Sequence, residues 1–327
     1  MRAIVCKEWG GPEKLILENL PSPPMRENGI RVQVHAAGIN FLDTLLIAGQ
    51  YQVKPPLPFS PGAEASGVVM EVAPGVNGVK AGDRVMAMTE LGAYAEEVVA
   101  SADRVFPIPD KMDFIAAAGF PITYGTSHVA LTHRAHLKAG EWLLVLGAAG
   151  GVGLTAVEIG KALGAKVIAA AGGPEKLAVT QQHGADFLID YSREDIRERV
   201  KAITGGHGAD VIYDAVGGDA FDASLRSVAW EGRILIIGFA AGRIPQIPAN
   251  IALVKNIDII GFYWGSYQIH KPETPRESFK QLFRLFDEGK LKPHVSESVD
   301  LKDAARGMEF LKQRKSTGKV VLTMGRH

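Results

Sequence analysis

The chain holds one cysteine, Cys6, in 327 residues, and carries no net charge, with 36 Lys+Arg against 36 Asp+Glu. One cysteine excludes an intramolecular disulfide and points to a reducing compartment. Inside the apolar opening stretch it reads as a small buried core residue. Zero net charge removes the electrostatic reason to expect a nucleic-acid backbone or an anionic membrane as partner. No apolar run reaches the ~18 residues of a membrane span, and no basic segment precedes a cleavage site. "MRAIVC" reads as the start of a strand, so the expected location is the cytoplasm. Internal repeats and low-complexity segments are lacking as well. Glycine is abundant, with 37 residues against a usual share of about 7%. Apolar residues make up 46%, an ordinary globular composition. The length allows a large core and suggests two domains of roughly 100–200 residues each.

Two textures divide the sequence. Up to Ile122, short alternating runs are broken by Pro and Gly. In "IRVQVHAAG", Ile30, Val32 and Val34 share one face, and Arg31, Gln33 and His35 share the other. This spacing predicts an antiparallel, barrel-like β domain. From Thr123 onward, apolar strands alternate with helical patterns. Six strands are expected, starting at Trp142–Leu146 and ending at Asp258–Phe262. Such alternation predicts a parallel, doubly wound α/β sheet. The tail beyond Phe262, with helix "RESFKQLFRLFDEGK" and strand "GKVVLT", breaks the alternation and is expected to return to the first domain.

The first of the six strands runs into Gly147-Ala148-Ala149-Gly150-Gly151-Val152-Gly153. Ala149 stands where the strict G-x-G-x-x-G spelling has its second glycine. Small residues let the backbone approach a pyrophosphate, and the following helix presents free N–H groups and the positive end of its dipole. Gly153 allows close packing of that helix on the sheet. A strand before and a helix after the loop give it the context of a dinucleotide site.

At the end of the second strand an NAD site usually carries an acid for the ribose 2′-hydroxyl. Here Ala171, Gly172 and Gly173 occupy that place, and Lys176 follows. Without the acid a 2′-phosphate meets no repulsion, and a cation adds attraction, so NADPH is the expected cofactor. The alternative reading makes Lys176 a solvated helix residue and gives Glu175 the acid's role.

The motifs "AAGINFLDTL", "PFSPGAEASGVV", "GVKAGDRV", "LGAYAEEV", "GAAGGVG", "GADFLIDY" and "GGDAFDASL" span nearly the whole chain. In these it resembles the medium-chain dehydrogenase/reductase superfamily, and within it the zinc-free quinone oxidoreductases related to zeta-crystallin. The resemblance implies a GroES-like catalytic domain over 1–122, completed by 264–327, and a Rossmann NADPH-binding domain over 123–263. It also implies an active site in the cleft between them. Zinc alcohol dehydrogenases of the superfamily carry a cysteine just after the segment matching "HAAGIN" and a histidine before the glutamate of "GAEASG". Here those places hold no cysteine, and Ala63 precedes Glu64. His133 and His136 have no companion ligands nearby in sequence, so no metal is expected. Without a Lewis acid, the fitting substrate is a quinone or enone, which is already electrophilic and delocalises its reduced anion. Two alternatives remain open: a 2-enoyl thioester or ketone reductase, and a non-catalytic, crystallin-like NADPH-binding protein.

Asn40 is the expected residue for positioning the nicotinamide ribose or a substrate oxygen, with a turn cap as its other reading. Asp43 reads equally as a catalytic or a helix-capping carboxylate. Tyr51 offers a stacking face and hydroxyl, or simple packing. Leu45 stands where the family often has a tyrosine. The resemblance further implies that Thr126 lies near the nicotinamide or phosphates, and that Tyr191 packs on the adenosine side. By the same resemblance Arg314 reaches the cofactor from the returning tail, with a solvated charge as its other reading. The resemblance likewise implies that Gly238 and Phe239 meet the carboxamide through their backbone, and that Trp264 walls the cleft or packs in a dimer interface. A homodimer through the sixth-strand edge near Ile257–Phe262 is implied as well.

Overall fold

Strand Gly29–Ile39 shows how the alternating pattern becomes structure: Ile30, Val32 and Val34 are buried, while Arg31, Gln33 and His35 are half-exposed. In the computed structural model, which describes residues 1–325, this strand is the centre of a seven-stranded sheet. It pairs antiparallel with Glu64–Val72, Glu97–Ser101 and Lys319–Thr323. Arg84–Met88 and Val105–Pro107 extend the sheet on one side. On the other side Val295–Asp300 joins Lys319–Thr323 in parallel, the one departure from an antiparallel sheet. Ile4, Val32, Ile39, Val85 and Leu322 lie in its core. Fully burying each such side chain is worth roughly 1.5–3 kcal/mol.

The second sheet has six strands, all parallel. Their spatial order is Phe187–Asp190, Lys166–Ala171, Trp142–Leu146, Ala209–Asp214, Val228–Ile236 and Asp258–Gly261. In chain order within this sheet that reads 3-2-1-4-5-6, the Rossmann arrangement. The order reverses between Trp142–Leu146 and Ala209–Asp214, and ligands of such sheets bind beyond the carboxyl ends of the strands at that point. Apolar runs such as "WLLVL", buried from Leu143 onward, reflect a sheet covered on both faces.

The chain divides into two compact units, Met1–Ile122 with the segment from Pro293 onward, and Thr123–Lys292. The return therefore falls at 293, where the sequence pattern placed it at 264. The reason lies in helix Glu273–Asp287. Its buried residues Pro275, Ser278, Phe279 and Leu282 follow helical spacing, and Phe279 meets Trp264 edge-on, with ring centroids 6.2 Å apart. This apolar face belongs to the core of the second unit.

Candidate functional site

In the second unit the glycine loop leaves strand Trp142–Leu146 and enters helix Gly151–Ala162. Gly147 has φ +67°, a left-handed conformation that disfavours any side chain. A Cβ on Gly153 would stand 2.2 Å from the Gly147 carbonyl oxygen, so only glycine allows this approach of helix and loop. Gly150 occupies the N-cap and offers no side chain to the helix end. The first amides of a helix have no intrahelical partner, so those of Gly151, Val152 and Gly153 suit an anion. Ala149, within the loop, is buried. These features fit a dinucleotide pyrophosphate.

Beyond the second strand, Gly172 and Gly173 turn into helix Pro174–Gln182, with Lys176 half-buried in its first turn. The Tyr191 ring covers Gly172, where an added Cβ would be 3.2 Å from Cε2. One feature departs from the expectation of a turn without negative charge. Asp190 ends the third strand, in register with Ala171, and its Oδ1 accepts from the Gly173 N–H at 3.0 Å. The Ser192 hydroxyl at 2.6 Å and the Gly173 amide hold this carboxyl below its ordinary range. A carboxylate is thus present at the turn, supplied by the neighbouring strand.

Asp214 organises the loops after the fourth and fifth strands. Its Oδ1 accepts from the Val216 and Gly217 N–H groups at 2.8 and 2.9 Å, and its carbonyl from Ile237 and Gly238 at 2.8 and 3.3 Å. Burial pushes its carboxyl upward. Gly238 is thereby fixed and Phe239 is left exposed. Thr126 is buried in helix Phe120–Val129. Trp264 is buried too, packed on Gly125 and Phe279. Its place is in the core of this unit, a correction to the expected cleft wall or dimer contact.

In the first unit Asn40 precedes helix Phe41–Ile47. Its Oδ1 accepts from Lys319 Nζ at 2.7 Å, and its Nδ2 donates to Glu64 Oε1 at 2.8 Å. Lys319 also donates to Glu64 Oε1 at 2.8 Å and to the Ile39 carbonyl at 2.8 Å, which uses all three ammonium protons. Glu64 Oε2 accepts from the Ile122 N–H at 2.8 Å. The amide of Asn40, 8% exposed, keeps one N–H unused among the described residues. Two buried charges therefore fix the orientation of this amide.

Asp43 Oδ2 accepts from the Asn40 N–H at 2.7 Å and from the Tyr94 hydroxyl at 2.8 Å. It is fully buried, and burial pushes its carboxyl up to about 6. Enclosure makes it a capping residue, so the catalytic reading is withdrawn. Tyr51 packs against the core of this unit. Arg314 is exposed on the turn after helix Ala304–Lys312, with a left-handed φ of 56°. It lies in the first unit, whereas Lys176 and Tyr191 lie in the second. Lys319, Asp190 and Asp214 were missed by the sequence reading, and Glu64 was seen there only as the neighbour of an absent ligand. Among the described residues, no three His, Cys, Asp or Glu side chains gather as a metal ion would require. Among them, too, no helix is long and apolar enough to cross a membrane.

Residues 26–110 match the model of the alcohol dehydrogenase GroES-like domain, and residues 151–288 that of the zinc-binding dehydrogenase. A quinone oxidoreductase-like protein 2 homolog of Nematostella vectensis is 45% identical over 98% of this chain and 88% of its own length. Escherichia coli quinone oxidoreductase, solved in complex with NADPH, superposes with TM-score 0.91 at 35% identity, covering 99% of this chain and 100% of that one. The Pseudomonas syringae quinone oxidoreductase gives TM-score 0.92 at 35% identity over 98% and 99%. A GroES-like unit with a Rossmann unit defines the medium-chain dehydrogenase/reductase class of oxidoreductases, with a nicotinamide nucleotide as cofactor. The chain belongs to the quinone oxidoreductase family of that superfamily.

Proposed function

We propose that this protein reduces quinones, or related conjugated carbonyls, with NADPH and without a metal ion. The observation that carries the reading is the Asn40 amide, fixed by Lys319 and Glu64 with one N–H to spare. A conjugated carbonyl spreads the charge it acquires, so one or two hydrogen bonds replace the Lewis acid that a simple ketone needs. When bound, NADPH supplies a hydride. The chain's own residues do the rest: the amides at Gly151–Gly153 hold the pyrophosphate, and Lys176 and Tyr191 flank the place for the 2′-phosphate. Asn40 orients an oxygen of substrate or ribose. The quinone oxidoreductase names of the relatives, and the NADPH complex of the Escherichia coli enzyme, support this reading.

The test follows NADPH consumption with quinones, enones and enoyl-CoA thioesters, before and after exhaustive chelation. Turnover of quinones or enones that survives chelation is expected. Turnover of enoyl-CoA alone moves the substrate to that class, and zinc-restored activity overturns the metal-free reading. We further assign the protein to the cytoplasm as a homodimer. Asp258–Gly261 is an edge strand, and Leu253 and Val254 just before it are 77% and 75% exposed. Exposed apolar edges invite pairing, and light scattering should give twice the monomer mass.

A further inference from the structure

The chain passes between its two units twice, at 122/123 and at 292/293. Both passages are tied to one buried carboxylate that the reading above does not use. Glu158 sits in helix Gly151–Ala162, which begins at the glycine loop. Its Oε2 accepts from the Tyr124 hydroxyl at 2.5 Å, two residues past the first passage. Its Oε1 accepts from the N–H of Lys292, the last residue before the second passage, at 3.1 Å. The same oxygen lies 2.5 Å from Nδ1 of His183, which ends helix Pro174–Gln182. One turn earlier on the glycine-loop helix, the Thr155 hydroxyl stands 3.1 Å from the Thr123 carbonyl oxygen.

An apolar side chain would fill this place at lower cost, because a buried carboxylate loses its hydration. What a carboxylate adds is direction: two oxygens fix groups from three other segments. Burial, and then the adjoining Glu158, push the Tyr124 phenol well above its ordinary range, so it remains a donor. A nucleotide bound at the N-terminus of this helix orders the element from which these contacts are held, with Thr155 about one turn and Glu158 about two turns beyond Gly151.

We propose that Glu158 is a positioning residue that fixes both chain passages to the nucleotide-binding helix, so that nucleotide binding stiffens them. The proposal rests on the loop at Gly147–Gly153 being the nucleotide site. It is tested by hydrogen exchange with mass spectrometry on the full chain, with and without NADPH. In the unmodified protein NADPH should slow exchange at 147–153, and also at 120–124 and 290–294 by about fivefold or more. Glu158→Ala should keep the slowing at 147–153 and lose it at both passages. Tyr124→Phe leaves no void and should lose it at 120–124 alone, which keeps the test decisive if Glu158→Ala does not fold. A purely structural role would instead raise exchange equally with and without nucleotide. Slowing at the passages that persists in Glu158→Ala or Tyr124→Phe, or never occurs in the unmodified protein, overturns the proposal. Absence of NADPH binding and of slowing at 147–153 overturns the nucleotide reading itself.

Discussion

Lys319 Nζ stands 2.7 Å from Asn40 Oδ1 although 279 residues separate them in sequence. The final strand, paired antiparallel with Gly29–Ile39, carries this lysine to the start of helix Phe41–Ile47. The same ammonium balances Glu64, which is fully buried.

Removing that ammonium should be costly. Lys319→Met leaves the Glu64 carboxylate buried without a counter-charge, and breaking a buried pair costs about 3–5 kcal/mol. Chemical denaturation should show a loss of that order. Adding Glu64→Gln to the same chain should restore part of it, because a neutral amide needs no counter-ion. A double variant no more stable than Lys319→Met would show that charge balance is not what the lysine supplies.

Asn40→Ala should lower kcat/KM more than tenfold, since losing one positioned hydrogen bond costs roughly 1–3 kcal/mol. The loss should fall on turnover, with the fold intact by circular dichroism. Kinetics like those of the unmodified protein would return Asn40 to the status of a turn residue.

Little of this network was legible in the sequence, and the reason is physical. Trp142–Leu146 and the helix beginning at Gly151 follow from periodicity within a few residues, and the observed bounds agree with that pattern. Residues 40, 64 and 319 share no local pattern, because strand pairing alone brings them together. Asp190 was overlooked because an acid is sought on the second strand, whereas parallel register with Ala171 supplies it from the third. The helix Glu273–Asp287 shows an apolar face in its sequence, but periodicity does not say which core that face covers.

Asp43 gives a pH prediction. Burial, offset in part by bonds from Asn40 and Tyr94, raises its carboxyl to about 6 in the folded chain. In the unfolded chain such a carboxyl titrates near 3.9. The folded state therefore binds the proton more tightly, and stability falls as pH rises from about 4 to about 6. The difference corresponds to about 3 kcal/mol. Asp43→Asn can keep both bonds through its Oδ1 and lacks this titration. Its stability relative to the unmodified protein should rise by about that amount between pH 4 and 7. A difference that stays flat across this range would place the carboxyl at an ordinary value.

The cofactor preference is the most direct test of the proposed reading. A charge-assisted contact contributes about 1.5–3 kcal/mol, so one made to the 2′-phosphate implies a preference for NADPH over NADH of about tenfold or more. Lys176, half-buried in the first turn after Gly173, is the proposed cation, and a lysine acts on a phosphate as a point charge. Lys176→Ala should erase most of the preference and change NADH turnover little. The Asp190 carboxylate, 3.0 Å from the Gly173 amide, opposes a 2′-phosphate at the same turn. Asp190→Asn keeps an acceptor for that amide and for Ser192 while removing the charge, so it should raise the NADPH preference further. Equal kcat/KM for the two nucleotides in the unmodified protein would defeat the assignment. A preference for NADH that strengthens when Lys176 is removed would instead identify Asp190 or Glu175 as the ribose-binding acid.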